Sequence, residues 1–376
     1  MGLVDLLELK RELRSWIGMK LSSKERREAL MDPHSRREPR MCGLTVHPAR
    51  GCSFGCKYCY IEDMGFSGAP RVSKLNGLQL AYALLSNPHV LPSEGGTLLA
   101  FGSVTEPFLP GVRERTLEYL RVVRGVLRNP VQISTKSYLS QEDASELAEA
   151  DPDLSVLVTI PALGYASRVE PFAPKPELRF RTIENLAKKS LHVSVFLRPL
   201  IPGVAEEDGP RILELAKGSG ARGVVLGTLR VTPKILERMR GAEIHLEDLL
   251  SDKNLRSGRQ VPIDASLIKS SLRRISAKLG LRVFPAACSA NMDAHSLGCH
   301  ACDLGPCQGD LPPVDTHDLE EGLRLCGIEA EVVRADEELR VIVKGGVKKE
   351  RVARSLVRAA SRRKVSSGRF KGLQSP

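Results

Sequence analysis

Two things are scarce in this chain of 376 residues: aromatic side chains, at 4%, and long apolar runs, none of which reaches 18 residues. The first scarcity argues against a broad base-stacking platform for single-stranded nucleic acid. The second excludes a membrane-spanning helix. The opening stretch Leu3-Val-Asp-Leu-Leu-Glu-Leu-Lys-Arg interrupts its apolar residues with charges, so it does not read as a secretory signal and the expected location is cytoplasmic. Asn and Gln together number only 12, which beside abundant Arg and Glu suggests a thermophilic source. What remains is 42% hydrophobic and 27% charged, enough core-forming residues to exclude wholesale disorder. The length suits one large domain of about 250 residues plus an appendage.

Charge is unevenly placed. The formal net charge is +11, of which residues 348–376 contribute +9 and residues 1–40 contribute +3, leaving −1 for the middle. Basic ends attract phosphate backbones by counterion release, so a nucleic-acid partner held by the C-terminal tail is one expectation. A solvated, solubilising helix is the other.

Leu3, Leu6, Leu7, Leu13, Trp16 and Ile17 recur at helical spacing and predict an amphipathic N-terminal helix. Residues 31–40 read as a linker. Strands are predicted at 44–47, 97–101, 131–135, 155–160, 192–197 and 222–227, alternating with helices at 74–86, 112–127, 140–149, 176–189, 207–218 and 232–240. That alternation predicts an α/β fold, a partial (β/α)6 TIM-type barrel with catalytic groups on the loops after its strands. The organisation expected is 1–40 as N-terminal helix and linker, 41–285 as barrel, 286–310 as a Cys-rich metal loop, and 311–376 as a small α/β appendage. Within the appendage a helix at 317–326, a hairpin at 328–334 and 339–344, and a basic helix at 348–363 are predicted.

Nine cysteines in a reducing compartment are ligands or core residues before they are disulfides. Three of them, Cys52, Cys56 and Cys59, stand at C-x3-C-x2-C just after the first strand. Three thiolates on one short loop can cap three irons of a [4Fe-4S] cluster and leave the last iron open. A structural zinc wants four protein ligands, and this loop offers no fourth Cys or His.

With an aromatic at Tyr58, the spacing resembles the radical SAM superfamily motif C-x3-C-x-aromatic-C. A closer likeness to spore photoproduct lyase-like enzymes extends over 45–240. It rests on Arg50-Gly51, Gly102-Ser-Val-Thr-Glu-Pro107, Ser134-Thr-Lys-Ser137, Glu170-Pro171, Pro174, Arg179, Arg198-Pro-Leu-Ile-Pro-Gly203 and Leu229-Arg230. The resemblance implies a [4Fe-4S] cluster on Cys52, Cys56 and Cys59 that chelates S-adenosylmethionine (SAM). It implies reductive cleavage to a 5′-deoxyadenosyl radical, hydrogen abstraction from substrate, and an electron donor such as ferredoxin or flavodoxin. Tyr58 would pack beside the adenine, and Gly102, Ser103, Thr105 and Glu106 would lie where the superfamily grips the methionine amino group. Lys136 and Ser137 would meet the carboxylate or ribose, and Arg198 would line the later-strand side. Bland alternatives stay open: Glu106 as a loop cap, Lys136 as a solvated charge, Arg198 as a buried partner of Glu170. Glu170 and Arg179 read as structural. One departure is that residues 101–104, Phe-Gly-Ser-Val, hold no thiol where spore photoproduct lyase has its hydrogen-donating cysteine.

A second group, Cys288, Cys299, Cys302 and Cys307, has the spacing C-x10-C-x2-C-x4-C. Four thiolates make a closed site, an auxiliary [4Fe-4S] cluster or, alternatively, a structural zinc. Asp293, His295 and His300 could substitute as ligands. Cys326 reads as a core residue of its helix, and Cys42 as structural or as a thiol near the first group. The leading expectation is a radical SAM enzyme acting on a macromolecule, nucleic acid first. The alternatives are a peptide or small-metabolite substrate, or a zinc-containing nucleic-acid-binding protein with a vestigial radical site.

Overall fold

The computed structural model describes residues 1–40, 43–66, 68–250 and 259–369; Cys42 lies outside them. Seven strands form the central sheet: β1 (Leu44–Val46), β2 (Leu99–Phe101), β3 (Val131–Thr135), β4 (Ser155–Thr159), β5 (His192–Leu200), β6 (Gly223–Thr228) and β7 (Arg282–Phe284). They lie side by side in chain order, and every neighbouring pair is parallel. Sequential order with right-handed crossovers puts all connecting helices on one face, and the sheet curls around the other. The result is an open, partial barrel. The six strands and six helices read from the sequence are all present. The seventh strand, Arg282–Phe284, was not read from the sequence.

Two helices precede the sheet, α1 (Leu3–Lys20) and α2 (Ser23–Met31). The connecting helices are α3 (Gly77–Ser86), α4 (Arg113–Val122), α5 (Gln141–Ala150), α6 (Pro176–Lys188), α7 (Val204–Gly218), α8 (Pro233–Arg240) and α9 (Ser266–Lys278). Asn76 caps α3 and Ser140 caps α5, each with a reciprocal bond from the third helical residue, so orphan backbone donors are met at the turns out of the strands.

Strand periodicity then sorts side chains between two environments. Leu99, Phe101, Ile133, Val156, Val158 and Val195 face the helices and are fully or almost fully buried, each worth about 1.5–3 kcal/mol of burial. Their neighbours Ala100, Gln132, Ser134, Leu157, Thr159 and Phe196 face the concave side and line a cavity. The polar share of that inner face is what a filled core would not carry.

Helix α10 (Ala287–Ala294) closes the lower end of the barrel. Its small residues Ala287 and Ala290 pack on Leu157, Val225 and Phe284. Gln132 donates to the Ala287 carbonyl at 2.8 Å, and His192 at the start of β5 meets Asp293 at 2.9 Å.

A C-terminal lobe follows: α11 (Thr316–Leu325), β8 (Glu329–Ala335), β9 (Glu338–Lys344), α12 (Val347–Ser361) and β10 (Val365–Arg369). The expected hairpin is there, in register Glu329↔Lys344. The basic tail is not free over its described part. Helix α12 buries Val352, Ala353, Leu356 and Val357, and β10 pairs parallel with β9. Leu3, Leu6 and Leu7 of α1 share this lobe's core, while Ile17 enters the barrel's. Asp318 accepts from Leu3 N–H at 2.5 Å. Trp16, placed on the apolar stripe by sequence, is 43% exposed. Among the described residues no helix is long and apolar enough to cross a membrane.

Candidate functional site

The first cysteine loop leaves β1 and folds over the mouth of the barrel. Gly51 N–H donates to the Val104 carbonyl at 3.1 Å, and Lys57 N–H to the Val169 carbonyl at 2.8 Å, so the loop is tied to the segments after β2 and β4. Cys52, Cys56 and Cys59 pack against one apolar group, Ala49, Phe54, Leu109 and Val112. Burial pushes the Cys56 thiol up to about 12 and the Cys52 thiol upward as well. Loading a metal here must therefore displace protons from reluctant thiols.

A buried charge network underlies the loop. The Tyr58 hydroxyl donates to Glu170, and Glu170 pairs with Arg179; both members of that pair are almost wholly buried. Arg179 also donates to the carbonyls of Pro174 at 2.8 Å and Thr159 at 3.1 Å. Glu170, Pro174 and Arg179 thus act as one unit that locks the Tyr58 ring to the end of β4. The partner of Glu170 is Arg179, not Arg198. Lys136 Nζ lies 4.0 Å from Glu170 and 5.7 Å from the Tyr58 ring centre. Burial works against its charge, yet Cys56 and Glu170 outweigh burial and hold its pKa above the usual lysine value.

The cavity has a volume of about 520 Å³, within the range of small-ligand sites. Of the residues singled out by sequence, Tyr58, Cys59, Gly102, Ser103, Lys136, Arg198 and Cys288 line it. Gly102 is required there: its φ is +89°, and a Cβ would come within 2.2 Å of the Ser134 carbonyl. A Cβ at Gly227 would sit 2.4 Å from the Arg198 side chain, so that glycine lets Arg198 lie across β6 into the cavity. Burial lowers the pKa of Arg198.

Thr105, Glu106 and Ser137 do not line it. Both Glu106 oxygens are spent on the chain itself: one accepts from Thr135 Oγ1 at 2.5 Å, the other from Lys136 N–H at 2.9 Å. Ser137 is buried, its carbonyl accepting from Thr182. Sequence reasoning missed Tyr60, whose hydroxyl donates to the Ser103 carbonyl at 2.6 Å, and the inward positions Gln132 and Thr159. The strand period, read for polar residues as well as apolar ones, would have found the last two.

The second cysteine group gathers around a separate cavity of about 80 Å³, lined by Cys288, Cys299, Cys302 and Cys307. Cys299 and Cys307 pair as in a hairpin, with backbone bonds of 2.8 and 3.2 Å. His300 N–H donates to the Arg362 carbonyl at 2.8 Å, binding the loop to the C-terminal lobe. Arg40, His89, Arg358 and Arg362 complete the wall. Asp293 and His295 do not line it; Asp293 is taken by His192 and Arg282. Arg40, Gly43, Leu98 and Cys288 border both cavities. Among the described residues no group of three or more His, Cys, Asp or Glu is gathered in single-ion geometry. Cys326, expected in the core, is exposed at the C-terminal end of α11.

Comparison with known proteins bears on the first site. Residues 46–216 match the radical SAM superfamily. That segment, a little under half of the chain, is a radical SAM domain. The fold of its radical SAM domain is shared with spore photoproduct lyase. A mutant of that enzyme with bound AdoMet and dinucleoside spore photoproduct aligns at TM-score 0.53 and 16% identity, over 64% of this chain and 75% of that one. The complex with dinucleoside spore photoproduct alone aligns at 0.52 and 17%, over 62% and 74%. Uncharacterised proteins of Mycobacterium tuberculosis (strain ATCC 25618 / H37Rv) and of Acidianus two-tailed virus are 26% and 25% identical over 196 and 189 residues. These matches cover 48% and 46% of this chain, and 57% and 61% of the relatives. The chain thus spans less than two thirds of the length of these curated relatives.

Proposed function

We propose that this radical SAM protein is an enzyme that holds a [4Fe-4S] cluster on Cys52, Cys56 and Cys59 and SAM in the barrel cavity, and acts on nucleic acid. The observation that carries this is the placement of three thiols on the first strand's loop, over a 520 Å³ cavity whose wall includes Cys59, Tyr58, Lys136 and Arg198. Held by these thiols, such a cluster would supply the one-electron reduction of SAM that starts hydrogen abstraction from substrate.

The chain's own residues prepare the site. Lys136 and Arg198 bring positive charge to the wall, suited to a carboxylate or phosphate. Glu170 and Arg179 hold Tyr58 in place. Glu106 shapes the turn that presents Lys136 instead of touching ligand. Helix α10 and Phe196 cover the lower cavity with Ala286, Ala287 and a phenyl ring, groups that limit water around a radical. Nucleic acid as substrate is favoured by the fold shared with spore photoproduct lyase and by the cationic wall. Reversal of a thymine dimer by that enzyme's route is disfavoured, since Ser103 stands in the segment without a thiol.

At the second site we read an auxiliary [4Fe-4S] cluster, with structural zinc as the alternative: Cys288, Cys299, Cys302 and Cys307 line one cavity that borders the barrel cavity.

The test is anaerobic reconstitution, then reduction with dithionite in the presence of SAM and of bulk RNA, DNA or protein. Formation of 5′-deoxyadenosine, raised by one nucleic-acid fraction, is the expected result. No 5′-deoxyadenosine under any condition would refute the enzyme reading, and stimulation by protein alone would refute the substrate class.

A further inference from the structure

The two basic ends of the chain meet. Between α1 and α12 runs a groove of about 510 Å³ whose rim carries Lys10, Arg11, Arg14, Lys348 and Lys349, with no acid among its lining residues. Lys10 and Lys349 are turned onto the backbone carbonyls of Asn87 and Gly327, at 2.6 and 2.7 Å. Arg11, Arg14 and Lys348 are exposed and meet no acid among the described residues. The floor is apolar, with Leu7, Leu85, Leu325 and Val352, and Leu325 is 43% exposed. Cations ringing an apolar floor suit a partner that brings carboxylates around an apolar contact.

Where the groove lies narrows the partner further. The first turns of α12 line the groove through Lys348, Lys349 and Val352, and its last turns line the second cysteine cavity through Ser355, Arg358 and Ala359. Val352 and Ser355 are one turn apart, about 4.5 Å along the axis. Pro88 borders the groove and His89 the cavity, with His89 Nδ1 at 3.0 Å from Ser355 Oγ. That cavity in turn shares Cys288 with the barrel cavity, which reaches Cys59. Groove, second cysteine site, barrel cavity and first cysteine loop form one continuous series.

We propose that this groove is the docking surface for an acidic one-electron carrier protein, and that its electron enters through the second cysteine site. The proposal rests on the radical SAM reading above, since reductive cleavage consumes one electron for each SAM. The electron leaves a reduced iron–sulfur or flavin protein, which is oxidised, and ends on the sulfonium, whose C5′–S bond breaks. Nucleic acid is the poorer occupant. The groove offers no aromatic ring for a base. It also lies where α3 ends, at Leu85 and Pro88, at the end of the barrel opposite the mouth that a polymer substrate must reach.

The test uses the full-length reconstituted protein, a flavodoxin, and the triple variant Arg11→Glu/Arg14→Glu/Lys348→Glu, whose side chains are exposed. Oxidised flavodoxin should bind the variant at least tenfold more weakly in calorimetric titration at low salt. 5′-Deoxyadenosine formation driven by reduced flavodoxin should fall at least tenfold, with the dithionite-driven rate within twofold of the parent. Undiminished flavodoxin binding, or loss of binding to a 20-nucleotide single strand with flavodoxin binding intact, would overturn the proposal. Cys302→Ala should keep flavodoxin binding but lose most flavodoxin-driven turnover; full turnover would overturn the entry route. If dithionite yields no 5′-deoxyadenosine in the parent, the radical reading fails, and the binding titration still decides the docking surface.

Discussion

The two cysteine loops are held by different forces. In the first, side chains are added to the backbone ties: Arg179 and Tyr58 converge on Glu170, and Arg238 bridges to Glu62 at 2.6 Å. Main-chain pairing holds the second, through Cys299↔Cys307, Leu297↔Asp310 and His300↔Arg363. A loop fixed by side chains can be tuned and can be broken by one substitution. A loop fixed by backbone hydrogen bonds is indifferent to most substitutions outside its cysteines. The first arrangement suits a site where substrate is handled, the second a site whose geometry stays fixed while an electron passes.

The sharpest way to break this contrast is to remove thiols from each loop in turn. Cys52→Ala, Cys56→Ala or Cys59→Ala should lower 5′-deoxyadenosine formation at least a thousandfold, while circular dichroism shows the barrel intact. The reconstituted parent should carry about eight irons, and the Cys52/Cys56/Cys59→Ala triple variant about four, those of the second site. One zinc and no iron in the triple variant would make the second loop a structural zinc site. Truncating residues 348–376 is a poorer experiment than their charge suggests, because it would remove Val352, Leu356 and Val357 from the second core.

How far these loops were legible in the sequence follows from the same contrast. The first was legible because its ligands lie within eight residues of one another and the alternating strand pattern puts them on a strand's exit. The cavity behind it was legible only in part. Glu106 sits in the right loop, but whether its oxygens face ligand or Thr135 depends on the turn geometry, which spacing does not encode. The second site's cysteines were legible by spacing, but not its surroundings. Arg40, His89 and Arg358 are brought there from three distant segments by packing of the lobe on the barrel. The basic helix expected at 348–363 is present as Val347–Ser361, but charge density hid its packing: Val352, Leu356 and Val357 recur at helical spacing and are buried, so it is no solvated helix.

Next in size is the buried pair. Glu170→Gln should leave Arg179, 1% exposed, without its counter-charge, a loss of about 3–5 kcal/mol. Chemical denaturation should register that loss. His300→Ala on the second loop should cost under about 0.5 kcal/mol, since its bond to Arg362 is made by the backbone and its ring meets only the exposed Glu337. Equal losses at the two positions would erase the distinction between a side-chain-held and a backbone-held loop.

A further effect, smaller than that of the buried pair, concerns acid. His47 follows β1 on the approach to the first loop and is 8% exposed. Its backbone N–H donates to His34 Nε2 at 3.1 Å, and His34 Nδ1 meets Asp32 at 2.6 Å. Burial, aided by the Arg37 charge, lowers the His47 pKa to about 2. The folded chain therefore keeps His47 neutral, while the unfolded chain takes up a proton below about 6.5. Stability from this group is complete above that value and is lost as pH falls through the window from about 6.5 towards 2, at about 1.4 kcal/mol per unit. At pH 5 the loss is about 2 kcal/mol, and His34, whose pKa is also lowered by burial, adds to it in the same direction. The charged groups facing the pair are Asp32, Arg37 and Arg50. Melting curves between pH 7 and 5 should show the drop in the parent and a flatter dependence in His47→Gln. Because both rings lie beside the approach to the first loop, hydrogen exchange at pH 5 should rise at residues 44–60 before it rises at 297–307. The reverse order would mean that the second loop, for all its backbone pairing, is the weaker of the two.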